Sequence, residues 1–137
     1  MQKMKSFLQS QKEFIRQFFL YGLIGVCSSI LDTVCYVFLT RNITLKWHLA
    51  NFISVNIGIA CSFILNTYFN FKKSNKLGKR AISFFAVGYC GLGLSFLLLH
   101  IGTNLLHIND IIVKLVSIVF VAAFQFILNK IITYSKI

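Results

Sequence analysis

Long apolar runs separated by short polar segments dominate this chain. About 20 apolar residues cross a hydrocarbon core as a helix. Four stretches qualify, roughly 18–40, 49–71, 81–103 and 111–133. The pattern predicts an all-α protein of one domain, residues 1–137, built as an integral membrane four-helix bundle. Polar residues inside the runs keep helical spacing. Asn51, Ser54, Gly58, Ser62, Asn66 and Asn70 step by three or four and share one face of the second span. Lys114, Ser117, Val121, Gln125 and Asn129 do the same in the fourth, and Gly22, Gly25, Ser29, Asp32 and Tyr36 in the first. Small residues let helices approach closely, and Asn, Gln and Ser can hydrogen-bond across the contact. These stripes are therefore the expected packing faces.

The runs also repeat. "SFILN" at 62–66 returns as "QFILN" at 125–129, an offset of 63 residues that also pairs Asn51 with Lys114, Ser54 with Ser117 and Phe71 with Tyr134. At an offset of 66, Gly22, Gly25 and Ser29 match Gly88, Gly91 and Ser95. Two repeated transmembrane hairpins are expected, entering and leaving on the same side, as in parallel-repeat transporters.

Charge orients the hairpins. Of 14 lysines and arginines, eleven fall on one side: Lys3, Lys5, Lys12, Arg16, Lys72, Lys73, Lys76, Lys79, Arg80, Lys130 and Lys136. Arg41, Lys46 and Lys114 remain for the other. The positive-inside rule then places the N- and C-termini in the cytoplasm. The formal charge of +11 does not point to nucleic acid, because the basic residues sit between the spans and not along one. The N-terminal "MQKMKSFLQSQKEFIRQ" is polar for too long to be a signal peptide and reads as a short helix along the membrane surface. Cys27, Cys35, Cys61 and Cys90 all lie within spans and make no CxxC pair, so they read as buried small residues rather than disulfide or metal ligands.

Asp32 and Lys114 resist a purely structural reading. A charge at mid-membrane costs at least ~2.5–3.5 kcal/mol on insertion scales, so it pairs or faces water. With a rise of 1.5 Å per residue, Asp32 lies ~12 Å below the outer end of its helix and Lys114 ~5 Å below its own, a gap that a lysine side chain bridges. Asn51 starts its span at a similar level. An outer-half cluster of Asp32, Asn51 and Lys114 is expected, serving either as a structural ion pair or in substrate or proton handling. The repeat places Leu98 opposite Asp32, so only one half carries the acid.

The chain resembles the GtrA-like family of bacterial membrane proteins over about residues 14–136. The resemblance rests on "FIRQFFLYGLIG" followed by Asp32, on "ANFIS", "SFILNTYFNF" and "SFFAVG", and on "VKLVS" with "QFILNKIITY". It implies a multi-pass protein of the bacterial cytoplasmic membrane that flips a polyprenyl-phosphate-linked monosaccharide, typically on undecaprenyl phosphate. The implied partners are that lipid and membrane glycosyltransferases on either side, which decorate teichoic acid, O-antigen or another envelope polymer. Carried onto this chain, the substrate-binding positions are Asp32, Asn51, Asn66, Lys114 and Asn129, with aromatic Phe71 and Phe84. Ser62 and Gln125 stand where relatives often have asparagine, and Tyr134 where they often have phenylalanine, which bears on sugar preference. No catalytic nucleophile, metal set, phosphate loop or ATP site is evident, so no cofactor is expected and transport runs downhill or on an ion gradient. Four helices make a thin wall for such a path, so a homo-oligomer, a dimer or higher, is expected.

Two other functions fit parts of the pattern. A small multidrug-resistance-type exporter also has four short spans and an acid in the first, but Lys114 would repel its cationic drug. A non-transporting subunit that recruits a glycosyltransferase needs only the helices.

Overall fold

In a computed structural model the backbone is described for residues 1–137 and the side chains for all but Asp110 and Ile111. The chain forms two compact units, residues 1–74 and 75–137, each an antiparallel helical hairpin. Among the described residues the protein is all-helical, with four helices long and apolar enough to cross a membrane.

In the first hairpin, α1 (Gln2–Arg41) packs on α2 (Trp47–Leu65) and on the π-helical turn Asn66–Asn70 that continues it. α1 runs unbroken for 40 residues, about 60 Å at 1.5 Å per residue. That is twice the ~30 Å hydrocarbon thickness. The N-terminal segment is thus a continuation of the first span and not the separate surface helix its polarity predicts. The reason is local. No glycine or proline interrupts residues 2–21, Lys, Gln, Glu, Leu and Met favour helix, and Glu13 pairs with Arg16 one turn on.

In the second hairpin, α3 (Leu77–His100) continues into the π-helical turn Ile101–Leu105, and α4 (Asp110–Leu128) into Asn129–Lys136. The two π-helical segments at Asn66 and Asn129 begin at positions matched by the 63-residue repeat.

Three helix ends close in the same way. A residue with positive φ, Thr44 (60°), Lys72 (55°) or His107 (54°), turns the chain back. The next amide then reaches the carbonyl six residues earlier: Leu45 to Leu39 at 3.0 Å, Lys73 to Thr67 at 2.9 Å and Ile108 to Gly102 at 2.9 Å. Left-handed backbone costs a residue with a β-carbon about 1–2 kcal/mol. The cost is offset here by the terminal carbonyls that the turn satisfies.

Packing is confined to narrow stripes. α1 buries Tyr21, Ile24 and Ser28, and α2 buries Ala50, Ser54 and Gly58. α3 buries Arg80, Phe84, Val87 and Gly91, and α4 buries Val113, Ser117 and Phe126. The buried face of α1 is rotated by one residue from the glycine–serine stripe. Gly22 and Ser29 are exposed, and neither Gly22 nor Gly25 has a neighbour that an added methyl group would meet. Tyr21 and Ile24 bring more contact surface to the partner helix than glycine does, so they take the interface. The cysteines are also placed differently from the expectation of burial: Cys27 and Cys90 are exposed and Cys35 and Cys61 half-buried, all as free thiols. In lipid an outward-facing thiol loses little, because the surroundings are as apolar as a protein core.

Candidate functional site

Polar side chains gather at two levels. The first lies at the loop end of the first hairpin. There Asp32, Thr33 and Tyr36 of α1 and Trp47 and Asn51 of α2 line a pocket of about 370 Å³. Asp32 reaches it because Gly58 leaves the space beside it empty. A β-carbon at Gly58 would lie 3.1 Å from the Asp32 Cβ and 3.2 Å from the Ser28 carbonyl oxygen. Thr33 donates its hydroxyl to the Ser29 carbonyl at 2.9 Å, the usual way a helical threonine satisfies itself. Trp47 stacks its ring edge-on against His48, centroids 4.8 Å apart, and is otherwise largely exposed. No hydrogen bond or ion pair within this hairpin engages the side chains of Asp32, Tyr36 or Asn51. One carboxylate, one amide and one phenol therefore converge with their bonding capacity free within the hairpin.

The second level lies at the opposite end of each hairpin, where the π-helical turns open the backbone. In the first hairpin Asn66 donates to the Ser62 carbonyl at 2.9 Å and to its hydroxyl at 3.2 Å. Asn70 donates to Asn66 Oδ1 at 2.9 Å and contacts the Gln17 carbonyl at 3.1 Å. Arg16 donates to the Asn70 carbonyl at 3.0 Å. In the second hairpin Thr133 donates to Asn129 Oδ1 at 2.8 Å and meets the Ser83 hydroxyl at 2.6 Å. Arg80 donates to the Thr133 carbonyl at 2.6 Å, to the Asn75 carbonyl at 2.8 Å and to Asn75 Oδ1 at 2.9 Å. Its guanidinium also lies 5.9 Å from the Tyr134 ring centroid, a cation–π distance. Asn70 and Thr133 are equivalent in the repeat, as are Gln17 and Ser83 at the 66-residue offset. Each hairpin thus uses an arginine of its first helix to clip the same carbonyl of its second.

The expected site residues divide accordingly. Asp32 and Asn51 share the pocket. Ser62, Asn66 and Asn129 lie in the hydrogen-bonded ladders at the other end. Phe71 is buried, and Phe84 is buried against Tyr134, their rings edge-to-face at 6.5 Å. Gln125 donates to the Gly88 carbonyl at 3.3 Å and fills the space above Gly91, where a β-carbon would collide with its amide. Lys114 is exposed on α4.

Sequence reasoning did not single out Arg16, Arg80, Asn70 or Thr133 as a paired device, nor Tyr36 and Trp47 as pocket walls. The arginines sit among other basic residues that set topology, which masks their individual bonds. The repeat held the available signal, since it aligns Asn70 with Thr133.

Four membrane-length helices in two hairpins, each with buried polar ladders, define a multi-pass membrane protein. Residues 20–134 match the family model described as GtrA/DPMS, transmembrane domain. The chain belongs to this family and is a membrane protein involved in lipid-linked sugar translocation. No curated protein matches the chain in sequence.

Proposed function

We propose that this chain flips an undecaprenyl- or other polyprenyl-phosphate-linked monosaccharide across the bacterial cytoplasmic membrane for glycosylation of an envelope polysaccharide such as teichoic acid or O-antigen. The observation that carries this reading is the GtrA/DPMS transmembrane match, which reaches all four helices. In this reading the termini face the cytoplasm, as the eleven basic residues on their side require. A glycosyltransferase on the inner side charges the carrier, and one on the outer side consumes the sugar. The chain itself is a transporter and not an enzyme, and it works as a homo-oligomer.

The chemistry of the cargo sets what the protein must supply. The prenyl tail stays in lipid, while the phosphate needs a cation and the hydroxyls need hydrogen-bond partners. Lys114, an exposed cation of the fourth span, is the proposed phosphate contact.

Transport by liposomes containing only this protein tests the reading. Radiolabelled polyprenyl-phosphate sugars are placed in one leaflet, and their exposure to a membrane-impermeant oxidant on the other side is followed. Protein-dependent exposure of at least one sugar lipid is expected. Identical traces from empty and loaded liposomes for every sugar would point instead to a subunit that recruits glycosyltransferases.

A further inference from the structure

We propose that the pocket at the loop end of the first hairpin is a subsite for an uncharged sugar ring, and that it rejects sugars bearing a carboxylate. This rests on the lipid-linked sugar reading and names which cargo it favours. The pocket, about 370 Å³, lies at the small end of ligand-site volumes, which start near 300 Å³. It is large enough for one monosaccharide.

The lining has the groups that a polyhydroxylated ring needs. The Asp32 carboxylate can accept two adjacent hydroxyls, and the Asn51 amide can donate to one oxygen while accepting from another. Tyr36 adds a phenolic hydroxyl that either donates or accepts. Trp47 offers an aromatic face to the apolar C–H side of a pyranose and an indole N–H at its edge. None of Asp32, Tyr36 or Asn51 has a partner to give up within its hairpin, so binding need not break existing bonds there.

Charge sets the exclusion. The pocket lining contains one carboxylate and no cationic side chain. Arg41 and Lys46 flank the loop, but both are exposed and neither lines the cavity. A second carboxylate on the sugar would face Asp32 without compensation, and like charges in a partly desolvated site discriminate strongly. The phosphate of the cargo would meet the same repulsion, so it binds away from this pocket.

Trp47 makes the proposal directly measurable, because it is the single tryptophan of the chain. The full chain in lipid nanodiscs is titrated with short-chain polyprenyl phosphates bearing glucose, galactose, mannose, N-acetylglucosamine, glucuronate or galacturonate, and with the bare lipid phosphate. At least one neutral sugar lipid should change Trp47 emission saturably. The bare phosphate should not, and the uronate lipids should bind about tenfold or more weakly, the effect of one unfavourable charge contact. Asp32→Asn should weaken the neutral sugar and bring the uronate-to-neutral ratio toward one. Asn51→Ala should weaken the neutral sugar while preserving that ratio, which separates loss of contact from loss of charge. Equal affinity for neutral and uronate sugars in the native chain overturns the proposal, as does an identical response to bare lipid phosphate. Transport without any Trp47 response sinks the subsite and leaves the translocation reading standing. Absence of both transport and binding for every sugar lipid removes the reading itself.

Discussion

Gly58 on α2 stands directly against Asp32 on α1, so that a β-carbon on the glycine would lie 3.1 Å from the Asp32 Cβ and 3.8 Å from its Cγ. The acid of the first span is therefore positioned by an absence of side chain on its neighbour. Two features of the sequence that look unrelated, a glycine in one apolar run and an acid in another, form one structural unit.

Substitution at Gly58 should act through that unit. Gly58→Ala leaves contacts a few tenths of an ångström too tight, and Gly58→Leu cannot fit without parting the helices. The larger change should cost about 1–3 kcal/mol, the range for overpacking. Gly22→Ala, on the same hairpin but facing open space, should be neutral or should stabilise by up to about 1 kcal/mol through helix propensity. Thermal unfolding in detergent, followed by circular dichroism, separates the two. Equal midpoints for Gly58→Leu and Gly22→Ala would show that the close approach is unimportant.

Asp32 and Lys114 carry the functional prediction. Asp32→Asn and Lys114→Met should abolish glycosylation of the envelope polymer while membrane abundance stays at the native level. Both residues lie outside the buried stripes: Asp32 is half-buried and Lys114 exposed. Their loss therefore need not disturb packing. Immunoblots of membranes and sugar analysis of the polymer, taken from the same cultures, decide the matter. Full glycosylation in both variants would remove these residues from the substrate path.

The four helices were legible because lipid imposes a simple rule: a run of about 20 apolar residues satisfies its backbone internally as a helix. The packing face of α1 was not, because small residues and bulky ones compete for the same interface. Gly22, Gly25 and Ser29 have the right spacing, but Tyr21, Ile24 and Ser28 have it too, one residue out of phase. Spacing cannot choose between adjacent stripes; contact area does. The widened turns at Asn66 and Asn129 escaped for another reason. A π-helical turn differs from an α-turn by one residue of register, and no residue type marks it. The charge of Asp32 is costly in lipid, which marks it as specifically placed, whereas the asparagines show only the spacing of a packing face. Asp32 and Asn51 do share a pocket, whereas Asn66 and Asn129 are tied into ladders within their own hairpins.

Gly91 and Gln125 give a test of packing in the second hairpin. A β-carbon at Gly91 would overlap the Gln125 amide, so Gly91→Ala forces that side chain to leave and to lose its bond to the Gly88 carbonyl. The glutamine is flexible, so the single change should cost about 1–2 kcal/mol, the value of one hydrogen bond with its desolvation. Gln125→Ala should cost a similar amount by itself. The double variant should be more stable than the sum predicts, because the alanine at 91 then meets no amide. A coupling of at least 0.5 kcal/mol is the threshold for residues in contact. Additive effects in detergent unfolding would deny the contact.

The two arginine clips should differ in strength although they reach equivalent carbonyls, those of Asn70 and Thr133. Arg80 is 2% exposed and spends its donors on three neutral acceptors, the carbonyls of Asn75 and Thr133 and the Asn75 side chain. The Arg16 side chain is 39% exposed, and part of its bonding goes to the nearby Glu13. Hydrogen bonds from a charged group contribute about 1.5–3 kcal/mol when buried, whereas exposed ion pairs contribute about 0–1 kcal/mol. Arg80→Met should therefore destabilise by about 3 kcal/mol, since the methionine fills the space but takes the charged donor from the buried Thr133 carbonyl and removes both bonds to Asn75. Arg16→Met should cost about 1 kcal/mol or less, because its pair with Glu13 is exposed and only one bond, to the Asn70 carbonyl, reaches the buried ladder. Arg80→Lys should recover little, for an ammonium is a compact point donor that cannot span three acceptors as the planar guanidinium does. Raising salt should narrow the small effect at Arg16, through screening of the exposed pair, and leave the large one at Arg80 in place. Equal losses at the two positions, or full rescue by lysine, would mean that the clips act as general positive charge at the ends of the helices and not through the specific carbonyls they reach.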